Sequence, residues 1–77
     1  MSDNMVDVTV HIDENVSAEV RAALTDKLLG LSGVMAAVSH DEKPHLMVVE
    51  YDPERIKSSE ILGTVKNSGV HAELIGL

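Results

Sequence analysis

Four histidines, His11, His40, His45 and His71, are the side chains best equipped for chemistry, because the chain contains no cysteine. Without a thiolate there is no disulfide, no thiol nucleophile and no thiolate metal ligand, and the four methionine thioethers are too scattered along the chain to gather around one ion. What remains for a metal is imidazole nitrogen and carboxylate oxygen. That donor set suits Zn²⁺, Ni²⁺ or Cu²⁺, whereas Cu(I) wants thiolate or thioether sulfur. Carboxylates stand close to the histidines: Asp13 follows His11 by two positions, and Asp41 and Glu42 lie between His40 and His45. No catalytic set emerges. Ser17, Ser58 and Ser59 stand at helix starts, where a hydroxyl caps backbone N–H groups. Ser39 and Ser68 have no evident base partner. The run Gly30-Leu31-Ser32-Gly33 stops a helix and lacks the strand-to-helix setting of a phosphate cradle. Enzyme activity is not expected.

The elements that must position these groups follow from the apolar spacing. Met5 to Ile12 alternates, with Val6, Val8, Val10 and Ile12 on one face and Asp7, Thr9 and His11 on the other, which predicts a half-buried strand. Asn15 or Ser17 then caps a helix over 16–29, with Val16, Val20, Ala23, Leu24, Leu28 and Leu31 recurring at three- and four-residue steps. Gly30 and Gly33 end it. Val34 to His40 and His45 to Tyr51 read as a hairpin around Asp41-Glu42-Lys43-Pro44. The register that gathers the apolar side chains opposes His40 to His45, Val38 to Met47, Ala36 to Val49 and Val34 to Tyr51. Asp52-Pro53 closes that strand. Ser58 is the expected cap of a second helix, with Ile61, Leu62 and Val65 inward. Asn67-Ser68-Gly69 turns into a last strand, Val70 to Ile75. Val8, Leu24, Val49, Val65 and Leu74 are the expected core.

The order is β-α-β-β-α-β, which makes the fold class α+β. Right-handed crossovers turn this order into a ferredoxin-like two-layer sandwich. Its four-stranded antiparallel sheet is ordered 4-1-3-2 and both helices cover one face. This topology brings all four histidines to one pole. His40 and His45, opposed in the favoured register, have Cβ atoms about 5 Å apart and form the leading ligand pair. Asp41, Glu42 or Asp13 are available as a third ligand. The candidate metal residues are therefore His40, His45, His11 and Asp13. The same histidines also fit an ordinary solvated pole, since imidazoles are common near turns and strand ends. On strand parity His40 and His45 face the helices, and His11 and His71 the open side of the sheet.

The pattern resembles the heavy-metal-associated domains found in copper chaperones and in metal-pumping ATPases. Gly33-Val34 after the first helix, Tyr51-Asp52-Pro53 closing the third strand, Ile61 and Val65 in the second helix, and Gly69 before the last strand fall at the spacings of that family. Ala23-Leu24 falls on its small-Leu pair. The resemblance implies the scaffold, and it covers nearly the whole chain. The family's Met-x-Cys-x-x-Cys segment aligns with His11 to Val16, so that His11 stands at the Met position, Asp13 at the first Cys and Val16 at the second. None of the soft ligands is present, so the family's Cu(I)–thiolate chemistry is not carried over. Val70 stands where the family often has Tyr, Phe or Lys.

Bulk properties exclude several partners. With 6 basic and 13 acidic residues the net charge is −7, and a single Tyr is the only Phe, Tyr or Trp. Such a chain repels a phosphate backbone and offers no stacking platform, so neither nucleic acid nor an anionic membrane surface is expected to bind. No apolar run approaches the ~18 residues of a membrane span, and the polar start lacks the blocks of a signal peptide. A cytoplasmic protein is expected, with one domain over 5–77 after a short polar tail, 1–4. On the open face of the sheet Met35, Ala37, Leu46, Val48 and Ile75 are apolar, which suits a protein partner or self-association. The leading functional reading is metal binding, transport or homeostasis through His and carboxylate ligands for Zn, Ni or Cu(II). The alternative is a cysteine-free interaction or regulatory module that carries no metal. A third reading, an amino-acid-binding ACT-like sensor, lacks the Asp-x-x-Gly turn after the first strand.

Overall fold

A computed structural model describes residues 4–75, so the expected tail over 1–4, apart from Asn4, and the last two residues lie outside the description. The elements are β1 (Val6–Ile12), α1 (Ala18–Leu29), β2 (Val34–His40), β3 (Lys43–Tyr51), α2 (Ser58–Lys66) and β4 (Ala72–Ile75). The four strands form one antiparallel sheet ordered β2-β3-β1-β4, which is the expected 4-1-3-2 arrangement. The fold is ferredoxin-like.

Alternation in β1 works as the pattern predicts. Val8, Val10 and Ile12 are buried, and they meet Met47, Val49 and Tyr51 of β3 on the side covered by the helices. Leu24 and Leu28 of α1, Ile61 and Val65 of α2, and Ile56 in the loop between β3 and α2 close the core. Of the expected core, Val8, Leu24, Val49 and Val65 are buried, while Leu74 is only half-buried against the rest.

Three expectations change. First, α1 starts later. Ser17 is its cap, accepting from the Val20 N–H at 3.2 Å. With that start the buried stripe is Arg21, Leu24 and Leu28, and Val20 falls on the exposed flank. Second, α2 is entered from Lys57, which makes no side-chain cap, and Ser58 is already the first helical residue.

Third, the hairpin register differs. Val34 does oppose Tyr51, but an irregularity between Val34 and Ala36 then shifts the pairing by one residue. Ala37 opposes Val49, Val38 opposes Val48 and Ser39 opposes Met47. At the tip His40 opposes Lys43 rather than His45, across the two-residue turn Asp41-Glu42. Two features produce this. Two-residue hairpins match strand twist when their central residues take positive φ, and here neither Asp41 nor Glu42 does. The mismatch is absorbed by a second irregularity between Ser39 and His40. That irregularity coincides with Pro44, which has no N–H to give the ladder. The first irregularity, between Val34 and Ala36, turns Ala37 to the core and puts Val38 in its place on the open face.

Candidate functional site

The end of the sheet where β1 stops is built from three segments. These are the β1–α1 loop, the tip of β3 and the turn entering β4. The antiparallel pairing of β1 with β4 sets Glu73 directly beside His11 on the open face. Asp13 follows in the loop, one residue past the end of β1. One ligating atom from each of His11, Asp13 and Glu73 lies within 4.8 Å of the others. Among the described residues this is the one group of three or more histidine and carboxylate side chains that close. His11 is half-buried, and the two carboxylates are exposed.

The local electrostatics are unbalanced. His11 Nδ1 is closed off from solvent and makes no hydrogen bond. Asp13 Oδ1 lies 3.3 Å from it, near but out of line with the ring nitrogen. Two carboxylates and one imperfectly used imidazole therefore converge, with no Lys or Arg ion pair to either carboxylate among the described residues. A cation between them would relieve carboxylate repulsion and use the ring nitrogen.

His45 stands beside this group. Its ring stacks on that of His11, with centroids 5.8 Å apart and planes 18° from parallel. Strand parity had put these rings on opposite faces. His45 lies in the irregular stretch of β3 between Lys43 and Met47, where regular pairing with β2 is interrupted. His45 Nδ1 is 2.7 Å from the carbonyl oxygen of Ile12. A carbonyl can only accept, so Nδ1 carries the proton and Nε2 of the neutral ring is left as an acceptor or ligand. This is the backbone-held arrangement usual for metal-bound imidazoles.

The remaining predicted positions separate. His40 stands at the hairpin tip, exposed and opposite Lys43, outside the His11 group. His71 turns to Glu14, with its backbone N–H 2.8 Å from Oε1 and its ring Nδ1 2.6 Å from Oε2. This pairing holds Glu14 below the usual carboxylate range and His71 above the usual imidazole range. The Asp13 N–H also donates to the His71 carbonyl at 2.9 Å. The β1–α1 loop is thus strapped through Asp13 and Glu14 to His71, the residue before β4.

Two residues had not been singled out from the sequence. Glu73 could have been found, because the 4-1-3-2 order alone places β4 beside β1. Arg21 is harder to foresee, since it occupies an apolar stripe position. Its guanidinium, 7% exposed, donates to the Val16 carbonyl at 3.0 Å and pairs with Asp41 at the hairpin turn. It pins the far end of the β1–α1 loop to the β2–β3 tip.

No family model and no curated protein matches the chain. Solved structures do match. A copper-binding domain from a P-type ATPase has a TM-score of 0.82 at 20% identity, over 91% of this chain and 93% of that one. Oxidized MerP from Ralstonia metallidurans has a TM-score of 0.84 at 12% identity, over 95% and 100%. The copper chaperone of Enterococcus hirae in its apo form has a TM-score of 0.77 at 22% identity, over 88% and 98%. At these identities the shared property is the fold. The structural neighbours include a metallochaperone, a copper chaperone and a copper-binding domain of a P-type ATPase.

Proposed function

We propose that this chain binds a divalent ion of the Zn²⁺, Ni²⁺ and Cu²⁺ group as cargo, through His11, Asp13 and Glu73, and serves in metal transport or homeostasis. The observation that carries this reading is the convergence of the three ligating atoms within 4.8 Å at the end of β1. The scaffold shared with metallochaperones supports it. The donors are one imidazole and two carboxylates, a borderline-to-hard set that disfavours Cu(I). His45 Nε2, on the ring stacked against His11, is a further imidazole donor beside the group. Three protein ligands leave a coordination position for water or for a ligand from an acceptor. Exposed carboxylates suit release as well as capture. His40 has no role in this site.

Calorimetric titration with Zn²⁺, Ni²⁺ and Cu²⁺ tests the reading. One saturable site is expected, lost in His11→Ala and weakened in Glu73→Gln, with His40→Ala unchanged. Affinity falls on acidification, because protons compete for the imidazole. Absence of saturable binding of all three ions would instead favour a cysteine-free interaction module. The exposed apolar side chains Met35, Val38, Val48 and Ile75 speak for that second reading.

A further inference from the structure

The open face of the sheet has an order that single exposures do not reveal. Val38 opposes Val48, Val48 opposes Thr9, and Thr9 opposes Ile75. Paired residues share a face, so these four side chains form one row across all four strands. Its apolar members are well exposed, Val38 by 44%, Val48 by 40% and Ile75 by 38%. Met35, 63% exposed, lies at the irregular stretch of β2 nearby. The next row on one side pairs Glu50 with Asp7. The row on the other side runs Leu46, His11, Glu73.

Charge is distributed unevenly around this row. The strands contain Asp7, Glu50 and Glu73 but only one basic residue, Lys43, at the hairpin tip. The other basic residues are Arg21, Lys27 and Lys66 on the helices and Arg55 and Lys57 in the β3–α2 loop. An apolar band bordered by carboxylates, with no cation in its flanking rows, selects the charge of what covers it.

We propose that this face docks a protein partner whose contact surface is apolar at its centre and rich in Lys and Arg at its margin. The apolar row supplies the desolvated centre, and the acidic rows set orientation and speed encounter. A second copy of the chain is a poor occupant. It would bring a net charge of −7 against −7 and face acidic rows with acidic rows. The apolar row and the Asp7–Glu50 row contain no metal ligand and do not depend on the metal reading, whereas the His11–Glu73 row is shared with it, so the peptide titration is run on metal-free protein.

The test is an amide NMR titration of the full chain with two short amphipathic peptides of equal apolar content, one of Leu and Lys and one of Leu and Glu. The Leu/Lys peptide should give saturable shifts centred on Thr9, Val38, Val48 and Ile75. Val48→Thr, which keeps the β-branched shape, should weaken it several-fold. The pair of changes Asp7→Asn and Glu50→Gln should weaken it mainly at low salt and flatten its salt dependence. Equal binding of the Leu/Glu peptide would overturn the proposal. So would shifts centred on the helices, or concentration-dependent dimerisation through the same row.

Discussion

Glu14 accepts two hydrogen bonds from His71, one from the backbone N–H at 2.8 Å and one from ring Nδ1 at 2.6 Å. The residues are 57 positions apart, yet they join the β1–α1 loop to the start of β4 at the edge of the candidate metal site.

His71 is raised mainly by its side-chain bond to Glu14. Glu14 is lowered first by that bond and then by the His71 backbone N–H. A raised imidazole stabilises the fold fully below its unfolded value, and the effect is lost as pH rises through the folded one. A lowered carboxylate stabilises above its unfolded value, and the effect is lost as pH falls through the folded one. The strap is therefore strongest between the ordinary carboxylate and imidazole values, about 4.3 and about 6.5. Glu14→Gln should lower the His71 titration midpoint, read from its ring proton shifts. An unchanged midpoint would mean that the pair does not persist in solution.

Gly33 carries a different constraint. Its φ is +98°, and a Cβ there would come within 2.9 Å of Arg55 Cβ and Ile56 Cγ2. Gly69 has a similar φ of +100° but open space around it. Gly33→Ala should therefore cost about 2–4 kcal/mol, combining left-handed strain with overpacking, and Gly69→Ala about 1 kcal/mol. Urea denaturation of both variants measures the difference. Equal costs would show that the approach of the β3–α2 loop to Gly33 yields freely.

Leu24 and Leu74 provide a graded check on the core. Leu24 is 2% exposed, whereas Leu74 is only half-buried in the short edge strand β4. Leu24→Ala should cost about 3 kcal/mol and Leu74→Ala about half as much. If Leu74→Ala proved the more costly, the β4 edge would be bearing more of the core than its exposure indicates.

The fold could be read from the sequence because β1 and α2 each carry a periodic apolar set, α1 keeps Leu24 and Leu28 at its centre, and their order admits few topologies. The tip of the hairpin could not. Its register depends on the irregularity beyond Val34 and on Pro44 breaking the ladder, and neither leaves an apolar signature. That shift separated His40 from His45, the pair on which the sequence had centred a metal site. His11 and Asp13 could be set together from the sequence because they lie two positions apart at a strand end. Glu73 was not singled out, since a carboxylate on an edge strand looks solvated until β4 is set beside β1. Arg21 was hidden by position, because a buried guanidinium reads as a break in the apolar stripe.

The most direct test of the metal site is paramagnetic. Cu²⁺ added in small, substoichiometric steps to ¹⁵N-labelled protein broadens resonances according to their distance from the ion. The ring signals of His11 and His45 and the amides of Asp13 and Glu73 should broaden first, with His40 and its neighbours sharp at the same dose. Zn²⁺ added beforehand should protect them. Broadening that begins at His40 and Asp41, or that spreads over the acidic surface without order, would contradict a site at His11, Asp13 and Glu73.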